Sequence, residues 1–120
     1  MYINVRWEWV VKKNRIIIGI SGASGSIYGI RTLEMLKFTN IFETHLVISD
    51  AGKITLAHES FRNLEDVISL ADFYYHEERI GEKIASGSFK TSGMVIAPCS
   101  IKTMSEIASG VTSNLLTRAA

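Results

Sequence analysis

Three clusters of small or hydroxyl-bearing residues could do chemistry in this chain. They are Ser21-Gly22-Ala23-Ser24-Gly25-Ser26, Ser49-Asp50 and Pro98-Cys99-Ser100-Ile101-Lys102-Thr103. Side chains of this size let the backbone close around a ligand, and the free amides at a helix start favour an anion, phosphate above all. A tight strand-to-helix turn would account for Gly22 and Gly25, but it has no need of Ser21, Ser24 and Ser26 together. The ligand reading is therefore preferred to the turn. Ser49 and Ser100 also suit helix caps, and capping shares its geometry with phosphate binding. The named phosphate and nucleophile motifs fail. Ile20 stands where G-x-G-x-x-G has its first glycine, and Ser49 replaces the acidic residue at the end of the second strand. No Gly-Lys-Ser/Thr occurs in the glycine loop, and Gly22-Ala23-Ser24-Gly25-Ser26 ends in serine where a hydrolase elbow requires glycine. What survives is a mononucleotide-like phosphate held by hydroxyls and amides, without a metal.

Such clusters need a scaffold that brings them together. Arg15-Ile16-Ile17-Ile18-Gly19-Ile20-Ser21 is a continuous β-branched run, the mark of a strand buried on both faces of a parallel sheet. Ile27, Ile30, Leu33 and Leu36 then recur at helical spacing in a segment ending near Phe38. His45-Leu46-Val47-Ile48-Ser49 predicts a second strand, followed by a helix that Ser49 or Asp50 caps and whose apolar residues include Ile54, Leu56 and Ala57. Gly93-Met94-Val95-Ile96-Ala97 predicts a third strand, ended by Pro98. Ser100 opens a helix over Ile101–Ser109 that Gly110 terminates. Between them, Asn63 caps a short helix through Leu70, Phe73-Tyr74-Tyr75-His76 suits a short strand, and one helical turn is expected near Gly81 to Ala85. The predicted fold is α/β: a three-layer, doubly wound, Rossmann-like or flavodoxin-like parallel sheet. Open sheets of this kind bind ligands at the carboxyl ends of their strands, where all three clusters fall.

Composition narrows the function further. The 120 residues allow one domain, read as an extension over residues 1–14 and a ligand-binding domain over residues 15–120. Thirteen basic residues against 12 acidic ones give a net charge of +1, which offers no field for nucleic acid. One cysteine excludes an internal disulfide and a cysteine-based zinc site. The apolar runs are too short for a bilayer span, and without an export signal the expected compartment is the cytoplasm. Val5-Arg6-Trp7-Glu8-Trp9-Val10 alternates as an edge strand would, but suggests no chemistry. Asn114-Leu115-Leu116-Thr117-Arg118-Ala119-Ala120 reads as a helix just starting, so the chain looks cut short at its C-terminal end.

Five ordered segments carry a resemblance. Gly19-Ile20-Ser21-Gly22-Ala23-Ser24-Gly25 with Ile27-Tyr28-Gly29, Glu43-Thr44-His45-Leu46-Val47-Ile48-Ser49, Ala85-Ser86-Gly87-Ser88-Phe89, Ala97-Pro98-Cys99-Ser100-Ile101-Lys102-Thr103, and residues 114–120 together resemble the UbiX-type flavin prenyltransferase family. The resemblance implies transfer of a dimethylallyl group from dimethylallyl phosphate to N5 and C6 of reduced FMN, without a metal. The prenylated FMN would then serve UbiD-type decarboxylases, as in ubiquinone biosynthesis. It implies FMN contacts at Gly22, Ala23, Ser24, Ser49, Ser100, Ile101, Lys102 and Thr103, with Ser24 near the reacting N5 edge. Glu59 matches the glutamate that handles the proton lost from C6, and Arg118 matches an arginine near the flavin. The family assembles as large homo-oligomers, dodecamers, and its residues around the prenyl phosphate follow the segment that contains Arg118. This polypeptide alone is therefore expected to have weak or no prenyl-transfer activity.

On residue type alone, several of these positions have plainer roles. Glu59 reads as a solvated helix residue, and only the resemblance makes it catalytic. Cys99 is expected to be a small buried apolar residue. Lys102 is expected to contribute its amide more than its charge, while His45, His58 and His76 lack metal spacing and read as structural or surface residues. Tyr28 and Phe89 read as packing or interface residues. Two alternatives stand beside the prenyltransferase. One is a non-catalytic FMN-binding remnant. The other is an FMN-dependent cysteine decarboxylase, whose Ala-Ser-Ala-Asn-Thr segment after proline this chain replaces with Cys99-Ser100-Ile101-Lys102-Thr103.

Overall fold

β-Branched runs build the sheet, and short polar turns end them. The computed structural model describes residues 13–59 and 62–120, so the alternating stretch 5–10 lies outside the described residues. Strand β1 (Asn14–Ile20) leads to helix α1 (Ser26–Thr39), β2 (Phe42–Ile48) to α2 (Asp50–Glu59) and α3 (Leu64–Ser69). Strand β3 (Phe73–His76) is followed by a 3-10 turn (Lys83–Ala85), then β4 (Gly93–Ile96), α4 (Ile101–Ser109) and α5 (Leu115–Ala119).

The four strands lie in the order β3-β2-β1-β4, and every pairing is parallel. The chain thus lays β2 and β3 on one side of β1 and returns to place β4 on the other. That reversal leaves a crevice above the carboxyl ends of β1 and β4. This is the predicted doubly wound sheet, and the segment Phe73–His76 forms its edge strand β3.

Two cores sandwich the sheet, as the period-two alternation of strand side chains requires. On one face Ile18, Ile20, Leu46 and Ile48 pack with Ile30 and Leu33 of α1, Leu56 of α2 and Val67 of α3. On the other face Ile17, Val47 and Tyr75 meet Ile84 of the 3-10 turn and Leu115 and Leu116 of α5. Complete burial of an aliphatic side chain contributes about 1.5–3 kcal/mol, so these two clusters supply most of the drive to fold.

Local signals set the helix ends. Asn63, Ser100 and Asn114 each accept a hydrogen bond from the third residue of the helix that follows. Gly110 ends α4 with φ of 76°, and Asn40 ends α1 with φ of 55°, both left-handed. The expected apolar stripes need correction at Ile27, Ile54 and Ala57, all three exposed. Ile27 is 51% exposed and Ile54 is 62% exposed. Helical residues advance by roughly 100° each, so a stripe through Ser26, Gly29, Ile30 and Leu33 leaves Ile27 beside the buried line. In α2 the buried residues are Gly52 and Leu56, and Ile54 points away from them. Among the described residues, no helix is long and apolar enough to cross a membrane.

Candidate functional site

Each of the four strands hands one residue to a single cleft. Gly22 follows β1, Ser49 follows β2, Glu77 follows β3 and Ser100 follows β4. All four line a cavity of about 290 Å³ together with Ala51, Lys102, Thr103, Glu106 and Asn114. The parallel sheet makes this unavoidable, because parallel strands end on the same side.

Ser21 ties two of these strand ends together. Its hydroxyl donates to the Pro98 carbonyl at 2.7 Å and accepts the Ser100 N–H at 2.7 Å, while its own N–H donates to the same carbonyl at 3.1 Å. Ser21 is almost wholly buried, so its hydroxyl holds the β4–α4 loop against β1 and does not face the ligand. The Ala97–Pro98 bond in that loop is cis. Past Pro98, the Ser100 hydroxyl accepts the Thr103 N–H at 3.1 Å and donates to the Thr103 hydroxyl at 2.9 Å. The first intrahelical bond of α4 runs from Met104 N–H to Ser100 carbonyl. The amides of Ile101 and Lys102 therefore precede the helical ladder and remain available to an anion.

Gly22 serves packing. A Cβ there would come within 2.6 Å of the Ala51 Cβ, so α2 can sit against the loop only if residue 22 lacks a side chain. Thr55 of α2 locks the same contact by donating to the Gly22 carbonyl at 2.8 Å. Ser49 caps α2, accepting the Gly52 N–H at 3.0 Å.

Glu77 was not singled out from the sequence, where it reads as one of a charged run beside His76, Glu78 and Arg79. Its Oε1 accepts the Asp50 N–H at 3.0 Å, and its carbonyl accepts the Leu115 N–H at 2.7 Å. Its Oε2 is buried and has no hydrogen-bond partner. A buried acceptor left without a donor costs about 1–3 kcal/mol, more when charged. Only the assembled fold shows this, because Asp50, Leu115 and Glu77 lie on three separate segments.

Glu59 and Ser24 form a neighbouring feature. The Glu59 carboxylate accepts from the N–H of Gly25 and of Ser26, each at 3.1 Å, and from the Ser26 hydroxyl at 3.1 Å. It sits where α1 begins and takes the amides that would otherwise meet an anion. Gly25 makes this geometry possible with φ of 101°. These backbone donors, Ser26 first and Gly25 next, outweigh the opposing effect of burial and, with the Ser26 and Ser24 hydroxyls, hold the Glu59 carboxyl below its ordinary value. The anion-accepting helix start that remains for a ligand is therefore that of α4.

The predicted site residues divide accordingly. Gly22, Ser49, Ser100, Lys102 and Thr103 share the cleft. Ser24 and Glu59 meet each other at the start of α1. Ala23, Ile101 and Arg118 do not line the cleft; Ile101 is 79% exposed, and the exposed Arg118 lies in α5. Lys102 pairs with Glu106 at 3.9 Å and has an exposed side chain. Cys99 is exposed, not buried as its residue type suggests, because the loop after Pro98 turns its side chain out of the sheet layers. His45 is a buried structural residue.

A sequence model of the flavoprotein family matches residues 8–120. A probable UbiX-like flavin prenyltransferase of Sedimentibacter hydroxybenzoicus is 52% identical over 106 residues, covering 88% of this chain and 56% of that protein. The chain thus spans about half the length of the curated relatives it matches. Two solved structures superpose closely. AnUbiX in complex with FMN and dimethylallyl pyrophosphate gives a TM-score of 0.87 at 34% identity, covering 90% of this chain and 57% of that one. A dodecameric FMN-dependent UbiX-like decarboxylase from Escherichia coli O157:H7 gives 0.85 at 39% identity, covering 88% and 57%.

Proposed function

Since this chain belongs to the flavoprotein family, we propose that it carries the FMN side of a flavin prenyltransferase site. The observation that supports this most directly is the single cleft to which all four strands contribute. Its donor set fits a flavin nucleotide. The Ser100 and Thr103 hydroxyls and the open α4 amides suit the phosphate, and Gly22 lines the same cleft.

Bound as reduced FMN, the flavin supplies the nucleophilic N5 and C6 that take the dimethylallyl group of dimethylallyl phosphate. The chain's own residues bind and orient. Gly22 and Ala23 shape the loop beside the ring, Ser24 reaches its N5 edge, Ser49 adds a polar contact, and residues 100–103 hold the phosphate. Arg118, exposed on α5 outside the cleft, would have to turn toward the flavin to contact it. Glu59 takes the proton lost from C6. Its lowered pKa keeps it ionised and ready to accept that proton at neutral pH, though as a weak base. On this reading residues 15–120 are the flavin-binding part and residues 1–14 an extension. The protein works in the cytoplasm as a homo-oligomer and hands prenylated FMN to a UbiD-type decarboxylase. Exposed Tyr28, Ile101 and Met104 suit contacts between copies.

The test begins with binding. The chain should quench FMN fluorescence, and replacing Ser24 and Ser49 together by leucine should abolish flavin copurification. Unchanged yellow protein would refute the site. Incubation with reduced FMN and either dimethylallyl phosphate or its pyrophosphate, followed by mass spectrometry, then tests transfer and donor choice.

A further inference from the structure

The cleft is chemically two-sided. At the start of α4 its groups donate: the amides of Ile101 and Lys102 precede the helical ladder, and the hydroxyls of Ser100 and Thr103 lie beside them, while the Glu106 carboxylate further along α4 is already engaged by the Ser113 hydroxyl and Lys102. On the β3 side the group accepts: the carboxylate of Glu77 is held in place through Oε1 by the Asp50 N–H, leaving Oε2 buried and unpartnered at the cleft wall. The Leu115 N–H fixes the Glu77 backbone from a third direction. An anion satisfies the first side and is repelled by the second. Conversely, a hydroxyl donor satisfies the second side and gains less from the first. A ligand that completes both therefore bears an anionic group with hydroxyls close by on one flexible chain.

We propose that Glu77 is a binding and specificity residue whose Oε2 accepts a hydrogen bond from a polyol hydroxyl of the ligand, the ribityl chain if the ligand is FMN. The proposal rests on the FMN reading above and deepens it. Glu77 selects flavins that carry a hydroxylated side chain over the bare ring system. The Asp50 bond to Oε1 restricts the carboxylate, so a small adjustment at the cleft wall suffices to bring Oε2 to the ligand.

The experiment compares three probes on the full chain: FMN, riboflavin, which has the polyol without phosphate, and lumiflavin, which has neither. Binding is read from flavin fluorescence for wild type, Glu77→Ala and Glu77→Gln. Glutamine keeps a carbonyl oxygen for the Asp50 N–H and presents an NH2 donor where the ligand needs an acceptor, so it tests the hydrogen bond without emptying the site. Wild type should bind riboflavin more tightly than lumiflavin. Both variants should lose about tenfold or more in affinity for riboflavin and FMN and less than about twofold for lumiflavin, as expected for a lost bond to a charged acceptor. Equal losses for all three probes would overturn the proposal by making Glu77 merely structural. Tighter FMN binding by Glu77→Ala would overturn it by showing that the carboxylate faces the phosphate. Failure of the wild-type chain to bind any of the three would instead strike the FMN reading itself.

Discussion

The two ends of the parallel sheet are both lined with polar residues, and they differ in how those residues are satisfied. At the amino end, Glu43, His45 and Tyr75 close on one another. The His45 ring meets the Tyr75 hydroxyl at 2.8 Å through Nδ1 and Glu43 at 2.7 Å through Nε2. It stacks on Phe73 with centroids 4.7 Å apart, and Arg15 pairs with Glu43 at 3.4 Å while covering Phe89. The larger hollow, about 450 Å³, also lies at this end, between the close of α1 and the start of β3. Its Asp72 carboxylate is spent on the N–H and hydroxyl of Thr44. At the carboxyl end the cleft is smaller, yet it keeps free α4 amides and an unpartnered Glu77 oxygen. Size therefore misleads here, and the open α4 amides together with the Glu77 oxygen single out the smaller cleft. One end holds the fold together, and the other keeps hydrogen-bonding groups unpaired, as the proposed flavin site requires.

Mutations should separate these roles. The largest effect is expected from His45→Ala, which opens a cavity and strands both Tyr75 and Glu43. Urea denaturation should show a loss of about 2–4 kcal/mol, while the flavin affinity of the folded fraction stays near wild type. Ser21→Ala joins the two effects, because Ser21 couples β1 to the loop that forms the cleft. It should cost about 1–3 kcal/mol and also weaken flavin binding, measured by fluorescence titration. A loss of stability with unchanged binding would mean that the cleft does not depend on this tie.

The pH dependence offers a finer test. Burial holds His45 below its ordinary value of 6.5, outweighing its hydrogen bond to Glu43. Arg15 and Lys83 add to the lowering. Burial also pushes the Tyr75 phenol up, with the charges of Glu82 and Glu43 adding to it. Between the folded and unfolded His45 values the unfolded chain binds a proton that the folded chain does not. Stability from this group is thus full above pH 6.5 and is lost as pH falls below it. Denaturation midpoints should decline from neutral pH toward pH about 5.5, and His45→Phe should flatten that slope. Glu59, also lowered, acts further down. Its contribution is present above 4.5 and lost as pH falls through its depressed folded value, an extra decline that Glu59→Gln should remove.

The smallest effect is expected at Lys102. If its amide and not its charge serves the ligand, Lys102→Ala should change stability by less than about 0.5 kcal/mol and leave FMN affinity within about twofold. A large loss of affinity would place the ammonium group on the phosphate.

The sheet was legible because its signals are local. An unbroken β-branched run such as Ile16-Ile17-Ile18 has few alternatives to a buried parallel strand, and Ser100 and Gly110 mark the ends of α4 within a residue. Gly22, Ser49 and Ser100 could be picked out because small polar residues at predicted strand ends are uncommon without a reason. Ile27, Ile54 and Cys99 are exposed against the expectation from residue type, for a shared cause. Residue type predicts burial only on average, whereas the phase of a helix or the turn of a loop decides it.

By itself, the sequence determined the parallel α/β architecture, three of the four strand ends in the cleft and the flavoprotein family, since each follows from residue order along short segments. Tertiary structure alone decided which polar groups remain unsatisfied. Ser21 and Ser24 look alike in the chain, yet one is consumed by Pro98 and Ser100, and the other stands exposed beside Glu59. Glu77 looks like any charged surface residue until β3 places it against Asp50 and Leu115. A hydrogen bond depends on the positions of two groups that are distant in sequence, and those positions exist only once the chain has folded.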